Sequence, residues 1–269
     1  SLGLDKNPGA SFAYPVDSLR SASFTSRYGI VSSVMEDMVF NYVAQPEDVA
    51  KGVRLVQDCL GPTDYQTIRW LYSPLPGASS PEDERPVLER WLAESWQQPY
   101  TRFRSTVISS YDPTAFTGDL GNDLFKTVDY LTANYKRVAE HFYGWFAEGD
   151  GDLEFRSSVF SSMTDFYASK LCMLQRYIGG LVFNDIREGD DAASYTPLPR
   201  ETQQRALHYI VAALRDLDWL DRAPVRRMPY GTSEYVTEIY RVNIMRSTIA
   251  RLGLSLIHIS EPTRLDVIS

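Results

Sequence analysis

The stretch NDLFKTVDYLTANYKRVAEHFYGWF, residues 122–146, sets the fold class. Within it Leu124, Val128, Leu131, Tyr135, Val138, Phe142 and Trp145 recur in alternating steps of four and three. That spacing gathers the apolar side chains on one face of an α-helix, whereas a strand would need alternation by two. It predicts a long helix from Asn122 to Phe146, packed antiparallel in a bundle. Gly149-Asp150-Gly151-Asp152 stops it and turns the chain.

Downstream the pattern repeats. Val159, Met163, Phe166, Tyr167, Leu171, Leu174 and Ile178 line a second long helix from about Leu153 that ends at Gly179-Gly180. Leu181-Val182-Phe183 and Ala193 to Thr196 are expected to pair as a small hairpin around the acidic loop Glu188 to Asp191. Pro199 suits the first turn of a helix reaching Leu217, with Leu207, Ile210, Val211, Leu214 and Leu217 as its stripe. A last helix, Ser233 to Leu252, closes the bundle. Upstream, Thr63 to Tyr72 reads as a short helix capped by Thr63 or Asp64, and Pro74 to Pro81 as a linker-like loop. Glu82 to Trp96 follows as an amphipathic helix with Val87, Leu88, Trp91, Leu92 and Trp96 on one face. These stripes read as core. Residues 1–62 are short, turn-rich elements, so the expected division is 1–62 and 63–253. No internal repeat of fixed period occurs.

Composition narrows the function. The 269 residues are 43% hydrophobic and 23% charged, enough to bury a sizeable core. A net charge of -8 argues against nucleic acid, which needs clustered Lys and Arg, and Ala-Pro-Val interrupts the only basic cluster, Arg222 to Arg227. No apolar run approaches the roughly 20 residues of a membrane-spanning helix. Aromatic residues make up 13%, so ring contacts must be a large part of the packing. Cys59 and Cys172 have neither zinc nor redox spacing, and their disulfide state stays open.

The chemistry hinges on Ser1-Leu2-Gly3-Leu4-Asp5-Lys6-Asn7. Zinc-assisted hydrolysis uses three protein ligands and one open position for water. In H-E-x-x-H-x-x-G-x-x-H, two His stand one helical turn apart and the glycine turns the chain to deliver the third ligand. On that pattern Gly3 is the turn glycine and Lys6 stands at the third-ligand position, where an ammonium is a poor ligand. Asp5, one residue early, is a weak candidate for the ion. The H-E-x-x-H itself is absent.

A longer run carries the resemblance. Ala10-Ser11-Phe12-Ala13-Tyr14-Pro15-Val16-Asp17-Ser18-Leu19-Arg20-Ser21, then Phe24-Thr25, Arg27-Tyr28-Gly29, Ser33-Val34-Met35 and Phe40-Asn41-Tyr42-Val43-Ala44-Gln45-Pro46, resembles bacterial zinc-dependent metalloproteases of the metzincin type. Asp64-Tyr65, Ile68, Trp70, Tyr72, Gly179-Gly180, Tyr195-Thr196-Pro197, Pro199 and Leu217-Asp218-Trp219-Leu220 are similar to that family's helical C-terminal region. The resemblance implies a mainly α chain: the incomplete lower part of a metzincin catalytic domain with its Met-turn, then a multi-helix bundle with a small β-hairpin. It implies Met35 as the Met-turn residue, and Phe40, Asn41, Tyr42 and Gln45 as a possible substrate-pocket wall. The position two residues after the Met, a tyrosine in many metzincins, is Asp37. It also implies a peptide or protein substrate, zinc in the parent protein but none in this chain, and a secreted, periplasmic or surface-anchored location.

The rest of the inventory adds no site. His141 and His208 each stand alone on a helix; Glu82-Asp83-Glu84 and Glu188 to Asp191 lack the spaced ligands of a calcium loop; no G-x-S-x-G elbow or phosphate loop occurs. Two functions follow. One is a zinc metallopeptidase whose H-E-x-x-H lies upstream of Ser1, with this part inactive alone. The other is a degenerate, non-catalytic relative that binds peptides or proteins through the helical region. Leu254 to Arg264 resembles translated sequencing adapter, so 254–269 is read as a non-native tail; the alternative is a short strand at Leu256–Ile259. Residues 1–50 are expected to lack packing partners held by a catalytic half, and 63–253 to hold together.

Overall fold

The computed structural model describes residues 4–37, 40–98, 100–101, 103–108, 110–146, 152–184, 186, 191, 193–221 and 233–260. Two compact units are present, one of residues 1–110 with 114–127 and one of 111–113 with 128–269.

The first unit contains α1 (Ala22–Tyr28), α2 (Pro46–Ala50), α3 (Pro62–Tyr72) and α4 (Pro81–Gln97). Their starts follow from local chemistry. Ser21 Oγ accepts the Phe24 N–H at α1, Ser80 Oγ accepts the Asp83 N–H at α4, and α2, α3 and α4 each begin on a proline whose missing N–H costs nothing there. Gly29 ends α1 at φ +73°, a left-handed conformation in which a side chain is strained.

Residues 7–14 run as a succession of turns with backbone partners on both sides. Ala10 carbonyl accepts the Ser32 N–H (3.0 Å), while Ser11 and Tyr14 carbonyls accept the N–H groups of Gly121 and Asn122 (both 2.9 Å). Tyr14, Leu19, Ile30, Phe116 and Leu120 are fully buried around it, and the Tyr14 ring meets Phe24 and Tyr100 edge-on at 5.0 Å each. Residues 4–50 thus pack against part of residues 100–122, a stretch without helical or strand periodicity.

One expectation fails here. The α4 stripe does not enter a core: Leu92 and Trp96 are exposed, as are Tyr65, Trp70, Leu71 and Tyr72 of α3. Trp70, Leu92, Trp96 and Phe103 instead line an open cleft of about 350 Å³. An amphipathic pattern states that a helix has an apolar face; whether a neighbour covers that face depends on the rest of the chain.

In the second unit the expected bundle forms. It contains the later turns of α5 (Leu124–His141), α6 (Leu153–Gln175), α7 (Arg200–Arg215) and α8 (Ser233–Ser260). Leu131, Leu171, Leu174, Ile178 and Ile210 are fully buried, and Tyr167 packs edge-on against Trp219 at 5.5 Å. β1 (Leu181–Phe183) and β2 (Tyr195–Pro197) pair antiparallel with Val182 opposite Thr196, the small hairpin read from the sequence. Leu256–Ile259 is helical in α8, not a strand.

α8 meets the bundle in an unusual way. Its buried positions include Thr237, Ile244, Thr248 and Ser255, whereas Ile239, Val242 and Ile249 are exposed. Its inner face is satisfied by hydrogen bonds: Gln175 Nε2 donates to Ile244 carbonyl (2.8 Å) and reaches Ser247 and Thr248 hydroxyls, and Ser255 Oγ donates to Gln203 Oε1 (2.6 Å).

Candidate functional site

The turn carrying Met35 is held from below by one carboxylate. Asp64, buried in the first turn of α3, accepts Ser33 Oγ–H at 2.6 Å on Oδ1, and the N–H groups of Val34 (2.9 Å) and Gly61 (2.8 Å) on Oδ2. Ser33 Oγ in turn accepts the Met35 N–H (3.1 Å). The Asp64 carboxyl therefore caps its own helix and fixes a distant turn together, where the sequence offered only a helix cap. Gly61 makes this approach possible, because a Cβ there would lie 2.1 Å from Ser32 carbonyl oxygen. Met35 itself is half-buried, with its carbonyl accepting the Asn7 N–H at 3.3 Å. The segment holding Asp5 and Lys6 thus lies directly against the Met turn. Gly3 lies outside the described residues.

Lys6 and Asp37, separate departures in the sequence, meet in space. Lys6 Nζ donates to Asp37 Oδ2 at 2.6 Å, with both side chains exposed. The hydrogen bond and charge of Asp37 raise the Lys6 pKa, so Lys6 stays an ammonium with no lone pair for a metal. Asp5 Oδ1 accepts the Lys6 backbone N–H at 2.8 Å.

Between Met35 and Asp37, Glu36 points inward. Its Oε1 accepts the Gly118 N–H (3.1 Å), while its buried Oε2 has no hydrogen-bond partner among the described residues. Burial pushes its carboxyl up to about 7; the Gly118 N–H and the nearby Ser11 hydroxyl offset this only in part, since Ser11 donates to Asp119 at 2.5 Å. Nothing in the sequence marked Glu36. A charged letter within a turn looks like surface until the fold buries it against Gly118.

The possible pocket wall divides. Phe40 is exposed. Asn41, Tyr42 and Gln45 are buried and committed to backbone: Asn41 Nδ2 donates to the carbonyls of Leu19 (2.8 Å) and Arg54 (3.1 Å), Tyr42 OH to Gly118 (3.2 Å), and Gln45 Nε2 to Val43 (2.9 Å). These three side chains fix the backbone locally, and of the four only Phe40 is exposed.

A family model described as Met-zincin matches residues 1–257. The chain belongs to the Met-zincin family. No curated relative and no solved structure matches it. The Met-zincin match makes this a metalloprotease-type domain and implies zinc in the family. The residues described here do not fit that ion. Among them no three His, Cys, Asp or Glu side chains converge on a common point, and Lys6, at the position that the sequence pattern gives the third ligand, carries an ammonium bonded to Asp37.

The remaining candidates have local surroundings of their own. His141 is exposed, with Nδ1 beside Arg137 carbonyl (2.9 Å) and its ring stacked on Trp145; His208 is exposed on α7. Asp83 caps α4 by accepting from Ser79 and Ser80, which lowers its pKa. Glu188 to Asp190 and Arg222 to Arg227 lie outside the described residues. Cys59 and Cys172 are free thiols. Among the described residues no helix is long and apolar enough to cross a membrane.

Proposed function

We propose that this chain supplies the Met-turn floor and the helical region of a zinc-dependent peptidase, with the H-E-x-x-H helix contributed by sequence upstream of Ser1. The supporting observation is the Asp64-anchored turn: Met35 is held against residues 4–7 by a buried carboxylate and a backbone hydrogen bond, within a chain whose Met-zincin match covers residues 1–257. The substrate in this reading is a peptide or protein, with Phe40 at the wall of its pocket, and the parent is secreted, periplasmic or surface-anchored. This chain alone is inactive. The test is an assay of the protein carrying the upstream sequence, for peptide cleavage that a chelator abolishes and zinc restores. A metal-free, inactive longer protein defeats the proposal.

The Lys6–Asp37 pair favours a second reading, a non-catalytic relative that binds peptides or proteins. The two side chains at departing positions neutralise each other, as a site no longer built around a cation would allow. The codons before Ser1 discriminate: an intact H-E-x-x-H supports the enzyme, and loss of its Glu or a His supports the binding module.

A further inference from the structure

The outward face of α8 and the adjoining face of α7 form a groove of about 820 Å³, lined by Val211, Leu214, Val242, Met245 and Ile249, with Arg215, Arg241 and Arg246 and the carboxylates of Asp218 and Glu238 along its sides. The two helices are antiparallel, since Arg241 Nε donates to Leu214 carbonyl (3.1 Å) near one end and Ser255 bonds Gln203 near the other. On α8, Val242, Met245 and Ile249 recur every three or four residues, an apolar strip about 10 Å long at 1.5 Å per residue. This strip is not surplus core. The side of α8 that enters the bundle is the Thr- and Ser-bearing one, and Val242 and Ile249 remain 44% and 61% exposed.

The charges around the strip are unequal in kind. Arg241 is engaged, pairing with Asp218 at 2.5 Å and Glu238 at 3.8 Å. Arg215 and Arg246 are exposed, and neither has an ion-pair or hydrogen-bond partner among the described residues. Arg215 stands one helical turn from Val211 and Arg246 one turn from Val242, so each shares a face with a floor residue. Two uncommitted guanidiniums beside an apolar trough, in a chain of net charge -8, are complementary to one chemistry: an anionic head on an apolar body. The volume falls within the roughly 300–1,000 Å³ typical of small-molecule sites, and Met245 gives the floor an adaptable side chain.

We propose that the α7–α8 groove binds a free long-chain carboxylate, its hydrocarbon along Val211, Leu214, Val242, Met245 and Ile249 and its head held by Arg215 and Arg246. The site is independent of the peptidase reading. Calorimetric titration of the chain with dodecanoate below its micelle concentration tests it. Saturable one-site binding is expected, at least about tenfold weaker for dodecanol and for dodecyltrimethylammonium, because neither can form the charge-assisted hydrogen bonds a carboxylate accepts from guanidinium. The Arg215→Gln/Arg246→Gln double variant should lose at least about tenfold, with an unchanged circular dichroism spectrum and thermal midpoint. Val242→Asp, on the solvent side of α8, should abolish binding while the chain stays folded. No saturable binding, equal affinity for the alcohol, indifference to the double arginine change, or binding only to anionic phospholipid vesicles would each overturn the proposal. So would sedimentation showing the groove closed by a second copy of the chain.

Discussion

Glu36→Gln is expected to change how stability depends on pH more than it changes stability at any one pH. The ordinary value of a glutamate is 4.5, and burial raises that of Glu36 to about 7. Between these values the folded chain holds a proton that the unfolded chain has released, so stability falls as pH rises through the window. The cost is absent well below pH 4.5 and complete above about pH 7, where it reaches about 3 kcal/mol at roughly 1.4 kcal/mol per pH unit. Glutamine keeps an acceptor for the Gly118 N–H and never ionises. Its amide NH2 in place of the unpartnered Oε2 has its own cost, but that cost is independent of pH. The diagnostic is therefore a double difference, variant minus wild type at pH 8 minus the same quantity at pH 5. Every other ionisable group is common to both proteins and cancels to first order. Urea unfolding at the two pH values should give a double difference of about 2 kcal/mol in favour of the variant, because part of the cost is already present at pH 5. A value below about 0.5 kcal/mol would mean that water reaches the carboxyl, and would refute burial as the cause of the shift.

Other outcomes follow from the same geometry. Asp64→Ala leaves the N–H groups of Val34 and Gly61 without their acceptor and should destabilise the chain by about 3 kcal/mol in chemical denaturation, with Asp64→Asn costing less. Gly61→Ala pushes a methyl into Ser32 carbonyl oxygen and should cost at least about 2 kcal/mol by the same measurement; a silent change would show that the turn can back away. Leu131→Ala opens a cavity in the second unit and should cost about 2–5 kcal/mol. Lys6→Met, by contrast, removes only an exposed pair and should leave the thermal midpoint unmoved in physiological salt.

Much of the second unit was legible because its helices carry their burial in their own letters. The Leu124-to-Phe142 periodicity, the Gly179-Gly180 stop and the short hairpin are each decided within a few residues by helix geometry or turn chemistry. The expected helix end at Phe146 is not reached: α5 stops at His141, a 3-10 turn follows, and Trp145 is exposed. α8 was legible as a helix but not in its orientation. Its buried face is held by Gln175 and Gln203, residues 52 or more positions away, so the usual rule of apolar side inward does not apply. The α3–α4 stripes show the same limit: periodicity gave the face, and the chain left that face open.

By itself the sequence determined that the chain is mainly helical, that a methionine-bearing turn follows the Gly3–Lys6 segment, and that the family's two-histidine helix is not among these residues. These are properties of spacing and composition, fixed before any long-range contact forms. Tertiary structure alone decided that Lys6 and Asp37, 31 residues apart, share one ion pair, that Asp64 holds the turn carrying Met35, and that Glu36 is buried with its carboxylate on the Gly118 N–H. Hydrogen bonding and desolvation act over a few ångströms in space without regard to distance along the chain, so a carboxylate's role as surface charge, cap or buried acid is fixed only when its neighbours arrive.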